Sequence, residues 1–296
     1  MAELMVQAIG FGFVTGALIA IGALGFTLQF GLTNVLNISY GGAMTAGAFA
    51  AFVAEEVHLP VAVAVVAAVA VGALLTWLLG KTLFAYYARR GAGLFEMVMV
   101  TLAISLIIQY GIDAAAKEQI YRFSFPQGAS LRWGWFTLTV TQLALIAVAA
   151  AVFAGLELAL RRTRLGKALR AMADDPRLAR TCGIPTRRIV NVVWLVSGAL
   201  AGLAGLAYVA NSLTIDSSVG TNFLPLVLAA AILGKAGSTR GAVVAALLLG
   251  LVTEEVGAVG GEPYATVAAF AILAIVLATR PAAVAGQIAG KGEITV

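Results

Sequence analysis

Residues 161–188 read RRTRLGKALRAMADDPRLARTCGIPTRR, nine Lys and Arg in one short stretch, with long apolar runs on both sides. Basic residues beside membrane-crossing segments resist translocation. The stretch therefore reads as a cytoplasmic loop, and it fixes the direction in which the neighbouring segments run.

Working outward, 61% of the 296 residues are hydrophobic and 11% are charged, with a mean hydropathy of +0.99. Soluble domains carry about 25% charged residues, so an aqueous globular fold is excluded. A bilayer crossing needs about 20 apolar residues. Candidate spans are 7–30, 34–54, 61–80, 94–113, 138–160, 190–210, 222–234, 240–257 and 263–280, of which 222–234 is too short to cross unaided. The expectation is an all-α, polytopic membrane helix bundle of eight to nine transmembrane segments, some short or broken, forming a single domain over 1–296. Sixteen of the nineteen Lys and Arg fall in the loops 81–93, 161–190, 235–240 and 280–296, leaving Lys117, Arg122 and Arg132 on the other side. Nine crossings then place the N-terminus outside and the C-terminus in the cytoplasm. The net charge of +5 is thus a topological signal and implies no nucleic-acid partner. The membrane lipid is the expected surrounding. No basic n-region or cleavage site precedes the first span, so a cleaved signal peptide is not expected.

One Cys (Cys182) and one His (His58) allow no internal disulfide and no His/Cys metal cluster. No metal or other cofactor is expected, and no catalytic residue. The outer stretch 114–137 holds Tyr121, Phe123, Phe125, Trp133 and Trp135, aromatic residues suited to an interfacial belt or to a docking rim for an extracytoplasmic partner.

Within the apolar part, Gly31–Gly47 (GLTNVLNISYGGAMTAG) is unusual. Asn34, Asn37, Ser39, Tyr40 and Thr45 stand there among glycines that include Gly41 and Gly42. Polar side chains and helix-weakening residues are tolerated at membrane depth where protein or a water-filled cavity surrounds them. The segment reads as a broken helix, either an interhelical clasp or part of a substrate path. Thr101, Ser105 and Gln109 recur every four residues and share one helix face, positioned to join the same path. A second break is expected at Leu233–Gly241, after the short segment that contains Pro225. Gly16–Gly22 (GALIAIG) and Gly198–Gly202 (GALAG) are faintly alike in oppositely directed spans, as an inverted repeat would be, although Gly/Ala-rich spans also resemble each other by composition alone.

Two short helices are expected in the basic loop. Leu165, Ala168, Leu169 and Met172 make one apolar stripe. Asp174 or Asp175 can cap a second helix that has Pro176 in its first turn. Gly183 stands where a C-terminal glycine belongs, with Pro185 soon after. Such punctuation makes a rigid element lying on the membrane face, suited to transmit force.

At these residues a family comes into view. TRLGKALRAMADDPRLARTCGIPTRRI resembles the cytoplasmic loop of permeases in branched-chain amino acid ABC importers, where a G-x-x-x-R-A…D/N…A-x-x-x-G-I pattern recurs. Gly166, Arg170, Ala171, Asp174, Ala179, Gly183 and Ile184 match it. The stretch from Gly16 to Phe49 is similar to the H-type permease subunit, in which an N-F-A-H-G run follows the first span. LGKAGSTRGAVVAALLLG is similar to the family's G-G-x-G-S-x-x-G-A segment, with Gly234, Gly237, Ser238 and Gly241 retained. Three residues depart: Tyr40 for histidine, Ile38 for phenylalanine, and Lys235 for a second glycine.

The resemblance implies a permease without catalytic chemistry of its own, in a bacterial or archaeal cytoplasmic (inner) membrane. It implies a second permease subunit, in a heterodimer or a homodimer, and two ATP-binding subunits docked on a coupling loop at 161–189. It also implies an extracytoplasmic binding protein that delivers branched-chain or other hydrophobic amino acids. Related permeases serve urea, short amides and organic acids. The chain contains no G-x-x-x-x-G-K-[ST] loop, so energy must come from a partner or an ion gradient. An ion-coupled secondary transporter would need intramembrane carboxylates, which are scarce: Glu96 and Glu157 lie near cytoplasmic ends. A membrane-embedded enzyme would need clustered His, Asp or Cys.

Overall fold

The computed structural model describes residues 2–116, 119–133, 136–235 and 237–279. It is mostly helical. The chain forms α1 (Ala2–Thr33), α2 (Ser39–Glu56), α3 (Val61–Leu79), a π-helical turn (Gly80–Phe84) running into α4 (Ala85–Arg89), and α5 (Leu94–Ala116). α6 (Val140–Arg162), α7 (Arg164–Asp174), α8 (Pro176–Thr181), α9 (Thr186–Ser212), α10 (Val219–Leu233), α11 (Thr239–Gly260) and α12 (Glu262–Thr279) follow. Among the described residues six helices are long and apolar enough to cross a membrane: α1, α3 with its extension, α5, α6, α9 and α11.

The all-α expectation needs one addition. Four short strands lie at the end opposite α7 and α8. β1 (Tyr121–Arg122) pairs antiparallel with β4 (Thr214–Ile215), and β2 (Ser130–Trp133) forms a hairpin with β3 (Phe136–Thr139). The reason is local: residues 119–139 and 213–218 leave the helices, and their backbone groups need partners. Tyr121 and Phe123 turn inward here. Phe123 is buried against Ala48, Phe52 and Ile215, and the Tyr121 ring lies 5.1 Å from that of Phe52. Those two rings therefore do not form an interfacial belt. The Trp133 side chain and Trp135 lie outside the described residues.

The centre of the bundle is α1 and α9, which run in opposite directions. The C-terminal end of α1 and the N-terminal end of α9 both meet the basic loop, where Leu32, Val35, Ile189 and Trp194 share a cluster with Leu169, Met172 and Ala179. α1 packs along α11 and α9 along α3; α2 lies on α3 and α9, α10 on α11 and α1. Exchanging α1 with α9, α2 with α10 and α3 with α11 carries one set of neighbours onto the other. This is the arrangement of an inverted repeat. Outward faces of the surrounding helices are apolar and uncovered, for example Val66, Leu74, Ile107, Val244 and Leu248, as contact with lipid requires.

Small residues set the helix spacing, because lipid supplies no hydrophobic drive for helix association. A Cβ on Gly12 would stand 2.8 Å from the Leu251 Cα, and one on Gly202 would run into the Ala68 carbonyl. Gly202→Ala is therefore expected to destabilise the fold by about 1–3 kcal/mol, since backbone cannot move aside as a side chain can. Gly111→Ala, where a Cβ meets nothing within 4 Å, is expected to leave the detergent-solubilised melting temperature unchanged. Equal melting of the two variants would refute this reading.

Candidate functional site

Two short helices, α2 and α10, begin part-way along the bundle rather than at its ends. After Thr33, Asn34 takes a left-handed conformation (φ 53°) that terminates α1, and its N–H bonds the Phe30 carbonyl at 2.8 Å. Residues 34–37 are non-helical, and α2 starts at Ser39. The Tyr40 hydroxyl donates to the Gly22 carbonyl at 2.9 Å, and its ring meets Phe26 edge-on at 5.7 Å. The first turn of α2 thus lies beside the middle of α1. On the other side of the bundle, α9 ends at Ser212, Leu213 takes the same left-handed conformation (φ 57°), and α10 starts at Val219.

The first N–H groups of a helix have no partner within it. Here neighbouring helices provide the acceptors. The Ile38 N–H, at the start of α2, donates to Thr101 Oγ1 of α5 at 3.2 Å. The Gly220 N–H, in the first turn of α10, donates to Thr45 Oγ1 of α2 at 3.0 Å. That second bond requires close approach of two backbones: a Cβ on Gly41 would stand 2.9 Å from the Gly220 oxygen, and one on Gly220 would overlap the Gly41 oxygen. Gly42 packs against Ile108. Thr221 donates to the Gln109 side chain at 3.1 Å, so the face carrying Thr101, Ser105 and Gln109 runs from the start of α2 to the start of α10. Ser39 Oγ donates to Asn37 Oδ1 at 2.5 Å. The expected residues are thus brought together, with Asn34 at the edge. Asn37, Ser39, Tyr40, Thr45, Thr101 and Ser105 are all buried to 2% exposure or less. The Asn37 amide nitrogen and the Ser105 hydroxyl, like Thr27 Oγ1 and Gln29 Nε2, are buried without a hydrogen-bond partner.

The basic loop has the anticipated punctuation. Thr163 caps α7, accepting from the Gly166 N–H at 3.1 Å, and Gly166 lies so close to the Leu160 backbone that a Cβ would overlap it. Leu169 and Met172 are buried while Arg170, Asp174 and Asp175 are exposed. Asp175 rather than Asp174 caps α8, accepting from the Leu178 N–H at 3.0 Å, and its own N–H donates to the Ala171 carbonyl. Ala179 is buried, and its carbonyl accepts from the Ile184 N–H across Gly183, whose φ is 78°.

A model of one protein family, described as the permease component of the branched-chain amino acid transport system, matches residues 8–279. The chain is 30% identical to the high-affinity branched-chain amino acid transport system permease protein BraD of Pseudomonas aeruginosa, over 93% of this chain and 94% of that one. It is 31% identical to the probable branched-chain amino acid transport permease protein LivH of Methanocaldococcus jannaschii, over 77% and 74%. Similarity to the ribose import permease protein RbsC of Escherichia coli is 28% over 83% and 76%. The chain belongs to this permease family. It is a multi-pass membrane protein.

Some polar contacts of the permease are invisible in its sequence. Glu157 of α6 accepts from Arg161 at 2.6 Å, from Arg240 at 2.7 Å and from Thr239 at 2.9 Å. It ties α6 to the start of α11, and with Arg161, Arg170 and Lys235 it borders a cavity of about 540 Å³. Only the i,i+4 pairing with Arg161 was legible beforehand. Gln29 joins α1 to α9 by accepting from Ser197 at 3.0 Å; a glutamine in an apolar run was its one signal. The second break also has a physical reading: Lys235 is held at φ 68°, a conformation that favours glycine.

Lys235→Gly is accordingly expected to raise stability by about 1 kcal/mol, read as a higher melting temperature. Thr45→Val is expected to cost about 1–3 kcal/mol by leaving the Gly220 N–H unpaired. Thr45→Ser should recover most of it; a serine variant as unstable as the valine one would show that packing and not the hydrogen bond is at stake.

Proposed function

We propose that the chain is the transmembrane permease subunit of an ATP-driven importer and that it forms the path for branched-chain or other hydrophobic amino acids. The observation that carries this is the family match over most of the chain, joined to a basic helical loop docked on the break between α1 and α2. In this reading nine segments cross the inner membrane, the six long helices with α2, α10 and α12, with the N-terminus outside and the C-terminus in the cytoplasm. The loop 161–189 is cytoplasmic and engages two ATP-binding subunits. A second permease, of the same or a different sequence, completes the pore, and a binding protein delivers the cargo.

The packing supports the mechanical part. Leu169, Met172 and Ala179 share one buried cluster with Leu32 and Val35, which flank the left-handed Asn34. A displacement of α7 and α8 therefore bears directly on the point where α1 stops. The path is assigned to Asn34, Asn37, Ser39, Tyr40, Gly41, Gly42 and Thr45 with Thr101, Ser105 and Gln109. They are closed in the arrangement described. The buried Asn37 and Ser105 groups without partners favour a second arrangement in which they face water or cargo, because such groups cost about 1–3 kcal/mol each while closed. The names of related chains differ in cargo, branched-chain amino acid or ribose, and in this reading the binding protein shares in the choice of ligand.

Arg170→Ala or Asp175→Ala in the reconstituted complex is expected to abolish most uptake while leaving membrane insertion intact. Loss of the α8 cap alone is worth about 1 kcal/mol, too little to unfold the bundle. Uptake by both variants at the wild-type rate, or accumulation that continues after ATP is exhausted, would overturn the assignment.

A further inference from the structure

A cavity of about 830 Å³ opens at the end opposite α7 and α8, between α1, the end of α9, α10 and α11. Its volume falls in the range of small-molecule sites, about 300–1,000 Å³. Its lining combines apolar side chains, among them Phe11, Phe223 and Leu226, with the polar Glu254, Thr15 and Asn211. Glu254 is half-buried on α11 and accepts from the Thr15 hydroxyl at 2.6 Å. That partner is neutral. No Lys, Arg or His is found among the described residues lining the cavity. An ionisable side chain within a membrane-spanning helix marks a candidate site for a ligand or a proton. The Asn211 Oδ1 accepts from Gln142 at 3.3 Å, which leaves the Asn211 amide N–H groups as donors. Acceptor, donor and apolar lining together match a zwitterion with an aliphatic tail.

We infer that this cavity is the site where an α-amino acid enters the permease, with its ammonium group on Glu254, its carboxylate toward Asn211, and its side chain against Phe11, Phe223 and Leu226. The inference rests on the importer reading above and names the group that recognises the cargo. Leu18 and Phe223, which line the cavity, belong to the same buried cluster as Tyr40 and Phe26.

The test separates this site from the importer reading. Cys182→Ser removes the one native thiol, and Ala258→Cys places a reporter at the exposed rim of the cavity. In membrane vesicles containing the assembled complex, a cationic methanethiosulfonate is expected to label this cysteine about tenfold faster than an anionic one, as one nearby charge can produce. Glu254→Gln should bring the two rates together. Leucine and isoamylamine, which carry the ammonium group, should protect the reporter, while 4-methylpentanoate, which lacks it, should not. In proteoliposomes Glu254→Gln should lower leucine uptake by about tenfold or more with ATP hydrolysis retained, and Glu255→Gln should not. A rate ratio indifferent to Glu254→Gln, protection by 4-methylpentanoate equal to that by the amine, or protection by sodium alone would overturn the site. Amine protection without uptake of any hydrophobic amino acid would support an ammonium site and overturn the cargo reading instead.

Discussion

Backbone N–H groups released by a broken helix must find acceptors inside the protein, because the lipid offers none. Everything distinctive about this permease grows from that constraint. α2 and α10 begin within the bundle, and each receives its missing acceptor from a threonine on another helix: Thr101 for Ile38, Thr45 for Gly220. Threonine suits the task, since its hydroxyl accepts from the distant N–H while donating to a carbonyl of its own helix, Val98 for Thr101 and Gly41 for Thr45. The second bond could not form without the glycines that bring the two backbones together. Gly41 and Gly220 are thus inseparable from the capping, and the small residues along α1, α3, α9 and α11 hold the frame in which the caps stay in register.

The inverted arrangement follows from the same economy. A single broken helix would leave its partner acceptor on an unrelated element. Two breaks in oppositely directed units can be placed against each other, and here α2 supplies the hydroxyl that α10 needs. The long helices α1 and α9 serve as the common wall, each ending in a left-handed residue, Asn34 and Leu213. Asparagine tolerates that conformation well, whereas leucine does not. The strand pairing of Thr214 and Ile215 with Tyr121 and Arg122, together with the burial of Ile215, holds the less favourable of the two.

How much of this was legible depends on how local each feature is. The punctuation around α8 was readable because Asp175, Pro176 and Gly183 act within a few residues of themselves; the Thr163 cap of α7 was not singled out. The break after the first span was readable because glycines and polar residues interrupt an apolar run. Six of the nine candidate spans were readable by length, although α1 starts earlier and α9 extends further at both ends than hydropathy alone implied. What escaped was pairing across the sequence. Thr15 with Glu254, Thr239 with Glu157 and Gln29 with Ser197 are each separated by scores of residues, and no spacing rule connects them. The π-helical turn at Gly80–Phe84 is similar in kind: Gly80 sits against the Trp194 indole, leaving no room for a Cβ. The small sheets escaped because loop backbone seeks partners that only the assembled ends provide.

These pairings also divide the molecule into parts that can and cannot yield. Gly12 and Gly16 against α11, and Gly72 against Gly198 and Gly202, are backbone-to-backbone contacts, which are lost wholesale if the helices slide. The α2–α10 crossing differs. Beside it Asn37 and Ser105 hold buried polar groups without partners, and its helices are short and joined to their neighbours by non-helical chain. Motion of one helix against another is therefore expected to concentrate at the breaks, with α1 and α9 held by α11 and α3. The cluster of Leu32 and Val35 with Leu169 and Met172 fastens α7 to the end of α1, beside Asn34. From there five residues of non-helical chain and turn, 34–38, lead into α2 and to the buried Tyr40, a direct covalent connection from the charged face of the bundle to its polar centre.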